Sequence, residues 1–84
     1  MEKRVGFVGI IVHNRKEACD TVNGVLSEFG DLIVVRTGVP RVRDLCSVIT
    51  LVVDATTDEI GALTGKLGAI PGVTVKSMLS KSDL

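Results

Sequence analysis

Aromatic side chains are nearly missing from this chain: Phe7 and Phe29 stand alone, with no Tyr or Trp. Base-stacking platforms for nucleic acid need several such rings. Histidine is equally scarce, with His13 alone, and Cys19 and Cys46 are the only cysteines. These three residues cannot supply a four-ligand metal site within a single chain, so neither a metal nor another cofactor is expected. Two cysteines without a spaced framework suit a reducing cytoplasm, which is the expected compartment. Net charge is missing as well. Ten basic residues meet ten acidic ones, which leaves no whole-protein field to hold DNA or anionic lipid. No apolar run approaches the roughly 18 residues of a membrane span. The start, Met1 to Arg4 followed by Val5 to Val12, lacks a small-residue cleavage site and is β-branched with glycines, as a strand would be.

What remains is an ordinary globular composition, 45% apolar and 24% charged, in 84 residues that form one domain. The apolar period changes along the chain. Residues 4–12 read as a strand, with Val5, Phe7, Gly9 and Ile11 on one side and Gly6, Val8, Ile10 and Val12 on the other. Asn14 and Glu17 have capping-box spacing. The helix after them carries Ala18, Val22, Val25, Leu26 and Phe29 at offsets of three and four, and Gly30 ends it. Residues 31–37 read as a second strand, broken by Gly38-Val39-Pro40 and followed by a polar loop to about Leu45. Residues 46–53 are a third strand. Thr56-x-x-Glu59 then opens a second helix with Ile60, Leu63, Leu67 and Ile70 on one stripe. Ile70-Pro71-Gly72 stops it, residues 73–78 form a fourth strand, and the tail from Ser80 to Asp83 is expected to fray.

The order β-α-β-β-α-β predicts an α+β, ferredoxin-like sandwich: a four-stranded antiparallel sheet with two helices on one face. Such a sheet should alternate apolar and polar residues if its second face were wet. The first and third strands are aliphatic on both sides. Fully burying one such side chain is worth roughly 1.5–3 kcal/mol. A homo-oligomer, dimer or tetramer, is therefore expected to bury the helix-free face or to extend the sheet edge to edge. The plainer alternative has the C-terminal tail crossing the open side, with Leu84 as its one apolar residue past Leu79.

The candidate chemistry is sparse. His13, Asn14 and Arg15 lie where the first strand meets the first helix, a corner that can hold an anion, a small molecule or a metal through free N–H groups and the helix dipole. The simpler reading is a surface turn in which Asn14 only caps the helix. Arg36, Arg41 and Arg43 concentrate positive charge near the central turn and can take a phosphate, a carboxylate or an acidic patch; otherwise they are solvated. Cys19 and Cys46 read either as reactive thiols or as small buried hydrophobes. No acid/base pair and no nucleophile–base pair stands out. Gly24 in the first helix, and Gly61, Gly65 and Gly68 in the second, each cost roughly 1 kcal/mol relative to Ala. Close helix packing is the expected compensation, with backbone access for a ligand or subunit as the alternative. No phosphate-loop or dinucleotide fingerprint accompanies them.

The segment from Thr57 through Gly68 and on into Ile70-Pro71-Gly72-Val73-Thr74-Val75-Lys76-Ser77 resembles the iron-only hydrogenase system regulator family. Arg4-Val5-Gly6-Phe7-Val8-Gly9-Ile10 and the Arg36-Thr37-Gly38-Val39-Pro40 turn fit the same family. That resemblance spans nearly the whole chain and implies an ACT-like fold, similar also to the C-terminal domain of the nickel-responsive regulator. It implies a small oligomeric regulatory module, ligand-sensing or protein-binding, that is not an enzyme. Its partners would be copies of itself with a small-molecule effector or a protein of the hydrogenase system, and neither DNA nor membrane. ACT domains bind amino acids at an Asp-x-x-Pro-Gly turn, whereas here the turn reads His13-Asn14-Arg15-Lys16. The nickel regulator's third-strand histidines are replaced by Leu51 and Val53. Two competing readings remain: a small-molecule-processing enzyme built around His13, and nucleic-acid binding through the loop of Arg36, Arg41 and Arg43.

Overall fold

The computed structural model describes residues 2–13, 16–43 and 46–81. Its elements run β1 (Arg4–His13), α1 (Lys16–Glu28), a 3₁₀ turn (Gly30–Leu32), β2 (Ile33–Val42), β3 (Cys46–Ala55), α2 (Thr57–Gly68) and β4 (Val73–Leu79). The strands form one sheet in the order β2-β3-β1-β4, every neighbouring pair antiparallel. This is the α+β, βαββαβ sandwich that the element order predicts.

Period-two alternation sorts β1 as expected. Val8, Ile10 and Val12 are buried, and Val22, Leu26, Leu51, Val53, Leu63 and Leu67 join them in one core. Residues of both helices share that core with one face of β1 and β3, so both helices cover the same side of the sheet. Cys19 packs partly buried against this core, as a small hydrophobe does.

Three expectations are corrected. The second strand does not stop at Gly38-Val39-Pro40 but continues to Val42. β2 is an edge strand, where a proline can face its missing N–H outward, and the register shifts between Val39 and Val42 to absorb the irregularity. Strand β2 also begins later than expected, because the residues after Phe29 wind a 3₁₀ turn that buries Leu32. The helical glycines do not serve packing within the chain. A Cβ at Gly24, Gly61 or Gly65 would meet open space, and one at Gly68 would make ordinary contact with Val75 Cγ1 at 3.6 Å. Gly65→Ala is therefore expected to stabilise the fold by about 0.5–1 kcal/mol, read as a higher denaturant midpoint at unchanged slope. A loss of stability would show that something presses on that face.

The start of α2 follows its sequence signature. Thr56 Oγ1 accepts from the Glu59 N–H at 3.1 Å, and the Thr56 N–H donates to Glu59 Oε1 at 2.8 Å. That backbone donor, chiefly, holds the Glu59 carboxyl below its ordinary pKa. A lowered carboxyl pKa contributes stability that is present above the ordinary value and lost as pH falls through the lowered one. Thr56→Ala removes the acceptor of the Glu59 N–H and is expected to cost about 0.5–2 kcal/mol by chemical denaturation; the backbone N–H of residue 56 still holds the Glu59 carboxylate, so the cost should be similar at neutral and acid pH. The capping box expected at Asn14 lies outside the described residues. Ser80 is tied rather than frayed: its N–H donates to Val5 O at 2.9 Å.

Candidate functional site

The strand order, not the sequence spacing, decides which candidate residues meet. Cys46 on β3 pairs with His13 on β1 and with Val42 on β2. His13 and Arg41 therefore stand at the same end of the sheet, with one strand between them. Arg36 does not join them. It pairs with Leu51, about 16 Å along β3 from Cys46 at ~3.3 Å per residue. Its Nη2 donates to Asn23 Oδ1 on α1 at 2.7 Å. Arg43 takes a left-handed backbone, φ 55°, as β2 ends. Asn14 and Arg15, the other two candidates, lie outside the described residues.

The end that holds His13 also carries a groove. Glu17, Ala18 and Thr21 of α1 line one wall, and Ile70 and Pro71 line the other, around about 230 Å³. The His13 N–H donates to Gly72 O at 2.9 Å and so fastens the β1 end to the turn that forms the second wall. Gly72 itself has φ 83°, a conformation that glycine adopts without strain. The groove is smaller than a typical drug-sized site, and Glu17 and Thr21 supply its polar side chains. No sequence pattern marks Ile70 and Pro71 as lining residues. Their only signal was the helix stop, and the groove exists because β4 lies beside β1. Among the described residues no cluster of three or more His, Cys, Asp or Glu is placed to hold a metal ion, and no helix is long and apolar enough to cross a membrane.

The helix-free face is the larger feature. Register places Val35, Val52, Phe7 and Met78 in one row across the four strands. Thr37, Thr50, Gly9 and Lys76 form the next row, and Val39, Val48, Ile11 and Thr74 the one after. Two apolar rows thus flank a polar one. Phe7 is 50% exposed and Met78 58%, against 0% for Ile10 on the opposite side of the sheet. The hydroxyls of Thr37 and Thr50 hydrogen-bond to each other.

A four-stranded antiparallel βαββαβ sheet with both helices on one side is an ACT-like fold. The chain matches the TM1266-like family, the iron-only hydrogenase system regulators, over residues 4–77 and belongs to it. It is similar to the uncharacterised protein TM1266 of Thermotoga maritima, with 43% identity and a TM-score of 0.90, covering 95% of this chain and 100% of that one. The ACT domain of the GTP pyrophosphokinase of Chlorobium tepidum shares the fold at 24% identity and a TM-score of 0.73, over 90% of this chain and 99% of that one. A nitrogen regulatory PII-like protein of Thiomonas intermedia K12, solved with ADP, AMP and bicarbonate, shares it more distantly, at 14% identity and a TM-score of 0.53, over 96% and 97% of the two chains. No curated protein matches the chain.

Proposed function

We propose that this protein is a non-catalytic effector-sensing module of the iron-only hydrogenase system, cytoplasmic, working as a homo-oligomer. The observation that carries the reading is the helix-free sheet face. Val5, Phe7, Ile11, Val52 and Met78 lie exposed there on three neighbouring strands. Aliphatic residues gathered on one side of a small domain mark an interaction surface, because isolated monomers seldom leave such a patch in water. Family membership supports the regulatory role. The groove between α1 and the Ile70-Pro71 turn is the place we assign to a small effector, with His13 at its margin and Asn14 and Arg15 next in sequence. Arg36 and Arg41 are left as supporting charges: Arg36 is held by Asn23, and Arg41 shares the His13 end of the sheet.

Light scattering at micromolar concentration tests the oligomer, and the expected mass is a multiple of 8.9 kDa. A thermal-shift screen tests the effector, beginning with adenine nucleotides, bicarbonate, amino acids and small acids. A ligand at 100 times its Kd should stabilise the fold by about 2.7 kcal/mol. His13→Ala and Arg15→Ala should then weaken that ligand, and unchanged affinity would remove the corner from the site. Binding of a hydrogenase-system protein with no small-molecule response would replace the sensing role with a docking one. Salt-dependent DNA or RNA binding would point to the arginine cluster instead.

A further inference from the structure

We infer that the free edge of β4 takes up an extended segment of a different protein as a fifth strand, with an acidic side chain beside Lys76. This adds a docking role to the sensing role proposed above and does not depend on it. β4 pairs with β1 alone and ends the sheet. The His13 N–H bonds Gly72 O at one end of this ladder, and the Ser80 N–H bonds Val5 O at the other. In an antiparallel ladder, residues that exchange such bonds alternate with residues whose backbone groups point away. The register from Val73 to Leu79 runs without a shift, so Val75, Ser77 and Leu79 aim their N–H and C=O groups at the open edge. Among the described residues no turn or loop bond takes up these groups. β2, the other edge, is blunted by Pro40 and by the register shift between Val39 and Val42. β4 has neither device.

The helix above this edge leaves room for a strand. At about 100° per residue, Gly61, Gly65 and Gly68 share one flank of α2, across the buried stripe of Ile60, Leu63 and Leu67 from Lys66. Lys66 marks the α1 side: its Nζ lies 2.6 Å from Glu28 Oε2 and 5.6 Å from the centre of the Phe29 ring. Gly68 marks the other side, where a Cβ would meet Val75 Cγ1 of β4. The glycine flank therefore overlooks the β4 edge, and at Gly61 and Gly65 a Cβ would meet nothing within 4 Å. Ser77 reports the same gap. It shares the helix side of the sheet with its pairing partner Val8, yet Val8 is buried and Ser77 is exposed. Aliphatic side chains of an added strand would fill this gap beside Val75 and Leu79. On the helix-free side Lys76 and Met78 are exposed, and no ion pair of the described residues involves Lys76. An antiparallel addition puts both in non-hydrogen-bonded pairs, where side chains approach most closely. A carboxylate opposite Lys76 completes its pair. A second copy of β4 does not supply one: centred on Val75, Lys76 or Ser77, self-pairing sets Lys76 against Thr74, Lys76 or Met78. The occupant is therefore a different chain, alternating aliphatic with polar residues and carrying an acid among the latter. In such additions main-chain hydrogen bonds give affinity and the alternate side chains give specificity.

The test is amide hydrogen exchange by NMR on the full, isotope-labelled chain, with a capped peptide of sequence Ile-Thr-Ile-Glu-Ile-Thr-Ile. Without peptide, the amides of Val75, Ser77 and Leu79 should exchange far faster than those of Thr74, Lys76 and Met78, which β1 already holds. Peptide should slow the first three. Ser77→Pro removes only an outward N–H, which an edge strand tolerates, and should weaken the peptide roughly tenfold or more. Gly65→Leu fills the gap and should weaken it similarly, at unchanged or higher fold stability. Lys76→Glu alters only the charge. It should weaken this peptide roughly three- to tenfold and strengthen the version with lysine in place of glutamate, so the swap decides the matter even if Ser77→Pro does not fold. No slowing at Val75, Ser77 and Leu79 in about 1 mM peptide overturns the inference. So does binding that ignores both Gly65→Leu and the charge swap. Protection of those amides without peptide overturns it too, showing a second copy on the edge if it rises with protein concentration and the chain's own cover if it does not. The oligomer mass and the effector response test the functional reading separately, and none of these results changes them.

Discussion

Gly6→Ala is expected to disrupt the pairing of β1 with β4 and to lower stability sharply. A Cβ at Gly6 would overlap the Met78 carbonyl oxygen, and it would sit 2.6 Å from Leu79 Cδ2 and 2.9 Å from Leu79 Cα. A side chain can turn aside, but two of these obstacles are backbone. Relief therefore requires β4 to move away from β1, where Gly6 pairs with Leu79 and Ser80 N–H holds Val5 O. Overpacking of this sort costs typically 1–3 kcal/mol, and rigid backbone puts this site at or above the upper end. For a domain of this size that means a fall in Tm on the order of 10 °C or more. Gly9→Ala, three residues on and with open space above it, is the control and should change the isolated chain's stability far less. Equal melting temperatures for the two variants would show that β4 does not press on β1 as described.

The second large effect separates the two faces of one strand. Ile10 is fully buried within the core, whereas its neighbour Ile11 is 40% exposed on the helix-free side. Ile10→Ala should cost about 2–5 kcal/mol, because the cavity it leaves is walled by β3 and both helices and cannot collapse. Ile11→Ala should cost much less when measured on dilute, dissociated protein. At higher concentration Ile11→Ala should lower the apparent stability further, since any interface on that face contributes by mass action. Denaturation at two protein concentrations distinguishes the cases. If both substitutions cost the same at every concentration, the open face is packed within the single chain, and the tail alternative regains its place.

Local signals carried much of the fold. The Thr56-x-x-Glu59 spacing produced the cap that the structure shows, because a capping box involves only residues within one turn. The Ala18, Val22 and Leu26 stripe is buried as its spacing demands. Strand β2 continues through Gly38-Val39-Pro40 for a reason no local pattern carries. Proline ends a central strand but not an edge one, and β2's position at the edge depends on β3 pairing with β1. The helical glycines follow the same rule: whether a missing side chain admits a neighbour depends on what stands across from it, and at Gly24, Gly61 and Gly65 the space is open. Of the candidate site, His13 and the arginines were visible as residue types at element ends. The groove was not, since its walls are about fifty residues apart in the chain.

From the order of residues alone came the element types, the inward and outward sides of β1 and β3, and the excess of aliphatic surface. Each depends on a period of two or 3.6 residues that a short segment displays by itself. Tertiary structure alone decided that Pro40 lies at an edge and that Gly6 sits under the Met78 carbonyl. It also separated Arg36 from His13 and brought the Ile70-Pro71 turn against α1. These follow from which strands become neighbours, a choice made by burying one shared core across the length of the chain, and no local period encodes it.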